Sequence, residues 1–296
     1  MWLVLAFASA ILLGFYDVSK KKALTENMVI PVLFWNTFFS SLIFFPFVIL
    51  SKFGIISASS VFYVYDYGWA EHAYIFAKSV LVLSSWLFAY WGLKHLPITI
   101  VGPINATRPI WVLLGALTFF GEKPSMFQWL GIALAIVSFY MLSNTGKKEG
   151  INFKKNKWIL FVVVANIIGA FCGLYDKYLL ATPENRGISL NVVTLLSWYN
   201  IYQLILMSAV MIVSGKTKIK WRWSVLLISV FLSCAELFYF SSLALEGAMI
   251  SIVSMIRRSS VVVSFLLGAW LFKEKNIKNK FFDLILILVS MVFLCM

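Results

Sequence analysis

The sequence contains few charged residues and few groups suited to metal binding or acid–base catalysis. Only 12% of the 296 residues are charged, and the chain has two His and three Cys. The cysteines lie inside apolar runs without metal-ligand spacing, which favours small core residues over a disulfide or a metal site. No Gly-x-x-x-x-Gly-Lys-Ser/Thr loop occurs, which argues against ATP hydrolysis by this chain. No metal and no cofactor are expected.

The chain also lacks a polar stretch long enough to fold as a soluble domain. Hydrophobic residues make up 61% of it, and its mean hydropathy is +0.91. Apolar runs long enough to cross a ~30 Å hydrocarbon layer as helices recur throughout. The sequence therefore predicts an all-α integral membrane protein with ten transmembrane helices and the lipid bilayer as its partner. The predicted spans are 2–22, 29–50, 73–93, 97–119, 126–144, 157–180, 190–213, 223–244, 248–272 and 281–296.

Acidic residues are scarce relative to basic ones, with 12 Asp and Glu against 25 Lys and Arg. The resulting net charge of +13 lies in short loop clusters, so nucleic-acid binding is not expected. Seventeen basic residues fall in the connections after odd-numbered spans and four on the other side. The positive-inside rule then places both termini outside the cytoplasm.

Three landmarks recur in the same order and indicate two five-helix halves, residues 1–146 and 147–296. Because five is odd, the second half must enter the membrane from the opposite side, so the repeats are inverted and a binding site is expected at their interface. The landmark pairs are Gly14-Phe15-Tyr16-Asp17 with Gly173-Leu174-Tyr175-Asp176, Trp35-Asn36 with Trp198-Tyr199-Asn200, and Gly121-Glu122-Lys123 with Lys273-Glu274-Lys275.

The fourth and ninth spans each end in an apolar run followed by Glu-Lys, at Leu113–Lys123 and Phe265–Lys275, and Gln128-Trp129-Leu130-Gly131 follows the first. With ten spans in two fives, this pattern resembles the drug/metabolite transporter superfamily, EamA type. The second half departs from it, because Ile277–Phe282 lacks the Gln and Gly. The resemblance implies a non-enzymatic secondary transporter. It also implies cytoplasmic termini, in conflict with the charge count.

Three arginines fall within the fourth and ninth spans, where a charge is costly and needs a partner or a function. In an inverted pair, Arg108 would lie across one cavity from Arg257 and Arg258 and bind a carboxylate or phosphate. Plastid sugar-phosphate translocators of the resembled superfamily bind phosphate with a similar basic set. Alternatively, an arginine pairs with a buried acid, for which Glu236 is the candidate. Pro109, beside Arg108, predicts a bent fourth helix together with Pro103.

Other site candidates are acids and cavity-lining groups. Asp17, Asp176 and Glu236 are candidates for proton or ion coupling; alternatively, Asp17 pairs with Lys20 or Lys21, and Asp176 with Lys177. The candidate linings are Asn36, Trp86, Tyr90, Asn200 and Tyr239. The helix-end acids Glu122 and Glu274 are expected to be structural. The Tyr- and Trp-rich segment 62–69 is expected to form an interfacial helix, with a substrate lid as the alternative.

The sequence thus predicts a multi-pass secondary active transporter in the plasma (inner) membrane, and the resemblance implies a bacterial origin. Its substrate is expected to be a small anionic or zwitterionic metabolite, such as an amino acid or organic acid, moved by alternating access. Efflux of an organic cation or drug is the alternative. A membrane-embedded enzyme fits less well, because no cluster of His, Asp or Ser near one interface suggests catalysis.

Overall fold

The computed structural model is helical, without strands, over the residues that it describes. These are residues 2–108, 110–112, 125–147, 151–153, 155–183, 187–215, 218–245, 253, 256–274 and 277–294. In chain order the helices are α1 (Trp2–Glu26), α2 (Val29–Lys52), α3 (Trp69–His95), α4 (Ile98–Ala106), α5 (Met126–Lys147), α6 (Lys157–Leu180), α7 (Val192–Ser214), α8 (Trp223–Ala244), α9 (Ser260–Phe272) and α10 (Ile277–Leu294). The all-α prediction agrees with this part of the chain.

Six of these helices, α1, α2, α3, α6, α7 and α8, are long and apolar enough to cross a membrane. Their outer surfaces remain apolar, since Phe7, Leu42, Leu160 and Ile212 are all more than half exposed. An apolar outer surface suits lipid tails, so the chain is an integral membrane protein. That all ten predicted spans cross the membrane stays a prediction, because residues 113–119 and 248–252 lie outside the described part.

The fourth predicted span is interrupted next to its arginine. Helix α4 ends at Ala106, and Thr107 forms a tight turn in which its backbone N–H donates to the Ile104 carbonyl at 3.1 Å. A residue that precedes proline by one or two positions commonly ends a helix, because the proline ring crowds the preceding turn. The bend predicted from Pro103 and Pro109 is therefore found at Thr107, although Pro109 itself lies outside the described residues.

The ninth predicted span has a matching interruption. Residues 256–258 are helical, Ser259 forms a turn, and α9 begins at Ser260. The Ser259 N–H donates to the Ile256 carbonyl at 3.0 Å, and the Val262 N–H donates to the Ser259 carbonyl at 2.9 Å. Such three-residue hydrogen bonds mark a local tightening of the helix. Both interruptions thus lie next to arginines.

Glu274 caps the start of α4 from the far end of the chain. Its carboxylate accepts hydrogen bonds from the backbone N–H groups of Ile98 at 2.9 Å and Thr99 at 3.2 Å. A negative charge is favourable there, because the first N–H groups of a helix have no partner within it. The structural role expected for Glu274 is confirmed, whereas its counterpart Glu122 lies outside the described residues.

The main helix contacts join the first half of the chain to the second. Helix α1 packs along α8, α3 along α6, α2 along α7, α4 along α9 and α5 along α10. At one end of α2, the Lys220 N–H donates to Asn27 Oδ1 at 2.7 Å. Beyond its other end, the Tyr65 N–H donates to Thr194 Oγ1 at 3.0 Å. The start of α2 therefore lies near the end of α7, and the two helices are antiparallel.

The connection between α2 and α3 contains no helix, so the interfacial helix expected at 62–69 is wrong. Residues 53–68 form turns and extended chain. Their backbone groups are satisfied individually: the Val64 N–H donates to Ser51 Oγ at 3.0 Å, and the Tyr67 hydroxyl accepts from the Asn191 N–H at 2.8 Å. These bonds to α2 and to the start of α7 replace the hydrogen bonds that a helix would make.

Candidate functional site

A cavity of about 140 Å³ lies between helices of both halves, lined by α1, α3, α4, α6, α8 and α9 and by the residues beside the two interruptions. Nine of the eleven predicted site residues line it, including Trp86, Tyr90 and Tyr239. Its charged side chains are Asp17, Lys20, Lys78, Arg108, Asp176, Glu236, Arg257 and Arg258. Charges from distant parts of the sequence therefore meet in one place.

The two predicted asparagines do not line this cavity. Asn36 and Asn200 belong to α2 and α7, and neither helix contributes a lining residue. The Asn200 side chain donates to the Leu196 carbonyl of its own helix at 2.8 Å. The Asn36 backbone carbonyl accepts from Ser229 Oγ of α8 at 3.1 Å, while its buried amide has no hydrogen-bond partner in the described part of the chain. The repeated Asn thus marks helices that pack on each other beside the site.

Arg108 is held by α6, a helix of the other half. Its Nε donates to Asn166 Oδ1 at 3.0 Å. The same amide donates through Nδ2 to the Ile104 carbonyl at 2.5 Å and to Thr107 Oγ1 at 3.2 Å. Asn166 therefore satisfies a carbonyl in the last turn of α4 and fixes the arginine beside the interruption.

The guanidinium of Arg108 rests directly on a glycine of α6. A Cβ at Gly169 would lie 2.5 Å from Arg108 Cζ, closer than any real carbon contact. Only glycine leaves room for the guanidinium against this helix. Arg108 is thereby fixed between α4 and α6, with its position set by two neighbours that carry no charge.

The arginine pair of the ninth span has fewer partners. The guanidinium of Arg257 lies 3.8 Å from the centre of the Tyr239 ring. The Nε atoms of Arg257 and Arg258 are shielded from solvent and have no hydrogen-bond partner within the described ranges. The expected ion pair with Glu236 is not formed by either arginine there. A shielded donor without an acceptor is costly, so these groups are suited to a ligand that brings acceptor oxygens.

Two of the three acids are paired with lysines. Lys20 Nζ lies 2.7 Å from Asp17 Oδ1 within α1, which confirms the pairing expected from helical spacing. Lys78 of α3 forms an ion pair with Asp176 of α6 across the two halves. Asp176 thus pairs with Lys78 and not with the neighbouring Lys177.

Aromatic faces surround both lysines. Lys20 Nζ lies 4.3 Å from the Tyr16 ring centre and 5.3 Å from that of Tyr90, and these two hydroxyls are hydrogen-bonded at 3.3 Å. Lys78 Nζ lies 4.9 Å from the Tyr199 ring centre and 4.8 Å from that of Phe240. The ring faces add cation–π attraction, which reduces the cost of burying each ammonium group.

Sequence reasoning missed two residues of this site, Lys78 and Asn166. Lys78 lies inside the predicted span 73–93, where any charge is a functional signal, but it is absent from the predicted site residues. No sequence pattern identifies Asn166 as a site residue, because its role depends on the packing of α6 against α4. No group of three or more His, Cys, Asp or Glu suited to a metal occurs among the described residues.

Comparison with known proteins bears on the family and the fold of the chain. Residues 1–144 match the model of the EamA-like transporter family. No curated protein matches the sequence. A solved structure, described as a crystal structure of a protein, has a TM-score of 0.64 and 13% sequence identity, over 98% of this chain and 94% of its own. At this identity the similarity shows the fold alone, and it extends over both halves of this chain. Through residues 1–144, this chain belongs to the EamA-like transporter family of the drug/metabolite transporter superfamily, a family of integral membrane transporters that is generally non-enzymatic.

Proposed function

We propose that this chain is a secondary active transporter that moves a small anionic or zwitterionic metabolite, such as an amino acid or an organic acid, across the plasma (inner) membrane of a bacterium. In the proposed cycle, residues 1–146 and 147–296 form inverted halves that rock against each other and open the cavity to each side in turn. The observation that carries the proposal is the surplus of arginine in the cavity.

The charges in the cavity favour an anionic group over a cationic one. Asp17 and Asp176 are each balanced by a lysine. Glu236 is then the remaining acid among the lining residues, against Arg108, Arg257 and Arg258. A guanidinium binds a carboxylate or phosphate through two parallel hydrogen bonds, and the partnerless Nε donors supply such bonds.

The pairing of the helices supports two related halves. In the predicted repeat, each helix of the first half has its counterpart five helices later in the chain. The contact of α1 with α8 therefore corresponds to the contact of α6 with α3. The other main contacts join counterparts directly: α2 with α7, α4 with α9 and α5 with α10. The antiparallel course of α2 and α7 is the relation expected of counterparts in inverted repeats. Interrupted helices beside the cavity, at Thr107 and Ser259, are typical of binding sites in such transporters.

The size of the cavity favours a small solute. Its volume of about 140 Å³ is below the range of about 300–1,000 Å³ that holds drug-sized ligands. Efflux of a large organic cation is therefore the less favoured function, and two of the acids that it would use are already paired with lysines.

The proposal is tested by measuring the thermal unfolding of the purified protein with carboxylates, zwitterionic amino acids and organic cations. A ligand that binds the folded state raises its stability, so we expect the first two classes to raise the melting temperature. The Arg257→Gln and Arg258→Gln variants should bind the stabilising compound about 10- to 150-fold more weakly, since a charged hydrogen bond contributes ~1.5–3 kcal/mol.

The matched control is Arg222→Gln, because Arg222 is 40% exposed and pairs with Glu26 outside the cavity. This variant should bind as the unaltered protein does. Stabilisation by organic cations alone, or unchanged binding in both cavity variants, would contradict the anion site. Uptake of the stabilising compound into liposomes that contain the protein then tests transport itself.

A further inference from the structure

Glu236 differs from the other two acids of the cavity because it has no ion pair among the described residues. It lies in α8, lines the cavity and is 8% exposed. Asp17 and Asp176 each have a lysine partner. A buried carboxylate without a paired cation is costly in a membrane protein, and the cost is relieved when the group takes up a proton.

Glu236 is surrounded by groups from several helices of the bundle. Lys78 and Arg257 line the same cavity as Glu236, but Lys78 is paired with Asp176, and Arg257 stacks on Tyr239. The hydroxyl of Tyr199 lies beside the Glu236 carboxyl without meeting hydrogen-bond geometry. Helix α2 carries no titratable side chain before its last residue. The titratable and charged groups that face Glu236 are Tyr16 from α1, Lys78 from α3, Asp176 from α6, Tyr199 from α7, Tyr239 from α8 and Arg257 from the segment before α9.

We propose that Glu236 is the proton-binding site that couples transport to a proton gradient, and that its proton and an anion at the arginines bind together. This inference rests on the proposed anionic substrate. One proton binds to the carboxylate from the water on one side of the membrane and leaves to the water on the other. The chain is then a proton–anion symporter.

The sign of the coupling follows from the charges of the cavity. With every group ionised, five cations and three acids line it. A proton on Glu236 removes one negative charge, so the arginines attract an anion more strongly. Because linkage is reciprocal, a bound anion favours the proton in turn. A cationic substrate would instead compete with the proton, which gives exchange. Protonation of Asp17 or Asp176 would leave a lysine unpaired, so these acids are less suited to the role.

The proton site is tested first without any substrate, by infrared difference spectroscopy of the intact protein in lipid over a pH titration. A protonated-carboxyl band that titrates in the unaltered protein should be absent in Glu236→Gln and retained in Asp17→Asn and Asp176→Asn. Glutamine has the shape of the protonated acid, so Glu236→Gln should unfold at no lower temperature than the unaltered protein. A band that persists in Glu236→Gln, or no titrating band in the unaltered protein, overturns the assignment.

The direction of coupling is tested with malate as a dicarboxylate probe and alanine as a zwitterionic probe. The apparent affinity of the unaltered protein for a probe that binds should rise as the pH falls, by up to about tenfold per pH unit for one linked proton. In Glu236→Gln the affinity should not depend on pH. An affinity that falls with decreasing pH overturns symport. If neither probe stabilises the protein at any pH, the linkage to an anion and the proposed substrate class fail, while the infrared result still decides on Glu236.

Discussion

At the scale of single residues, the site contains a buried ion pair whose two members come from distant parts of the sequence. Lys78 is 2% exposed, and the acid that balances it, Asp176, is 98 residues away along the chain. Burying a charge is favourable only with a close partner, so the pair holds α3 against α6 as long as both members are present. The same pair leaves Asp176 unable to attract a cationic solute, which is why it bears on the choice of substrate.

We therefore expect Lys78→Met to lower the free energy of unfolding by ~3–5 kcal/mol, because it strands the buried carboxylate of Asp176. Adding Asp176→Leu should recover most of the loss, since neither charge then remains. Denaturant unfolding in detergent measures both effects. Arg222→Gln is the control, because its exposed pair with Glu26 should contribute less than ~1 kcal/mol. Equal losses in the single and double variants would mean that packing, and not charge, makes Lys78 necessary.

At the scale of elements, α6 is the support on which the interrupted fourth span rests. Asn166 bonds the last turn of α4 and the Nε of Arg108, and one turn further on Gly169 makes room for the guanidinium. The support comes from the opposite half, so relative motion of the halves would change the position of Arg108. Helix α6 thereby links the proposed rocking motion to the proposed anion site.

Two glycines of α6 offer a matched test of this support. Gly169→Ala should displace the Arg108 guanidinium, whereas a Cβ at Gly173 meets nothing within 4 Å. Since alanine favours a helix by up to about 1 kcal/mol over glycine, Gly173→Ala should be neutral or stabilising. Gly169→Ala should weaken binding of the stabilising carboxylate, measured by ligand-induced shifts in melting temperature. If both variants bind equally well, contact with α6 does not position Arg108.

At the scale of the whole molecule, most of the fold and part of the site could be predicted from the sequence. The apolar runs predicted all six long helices, because hydrophobic length alone specifies a span. Pro103 and Pro109 predicted a bend in the fourth span, because proline acts on its own helix, and the structure locates the interruption at Thr107. The sequence did not predict two contacts of the site. These are the ion pair of Lys78 with Asp176 and the hydrogen bond of Arg108 to Asn166. Both are contacts between helices of different halves, and no local pattern encodes them.

The count of basic loop residues and the family resemblance predict opposite orientations of the molecule in the membrane. The structure provides exposed residues at both ends of the bundle with which the two orientations can be distinguished. The end of the bundle that holds Lys220 and the start of α2 is the end rich in basic residues, and residues 53–68 lie at the other end. By the positive-inside rule we expect the basic end to face the cytoplasm.

An impermeant thiol reagent added to intact cells should then label Ala58→Cys and not Lys218→Cys. Both positions are exposed, and both variants are made in a chain whose own cysteines are replaced. After the membrane is permeabilised, both positions should react, which checks that each variant is folded into the membrane and accessible. The reverse pattern would place both termini in the cytoplasm, as the family resemblance implies, and the uneven loop charge would then have to arise from something other than insertion.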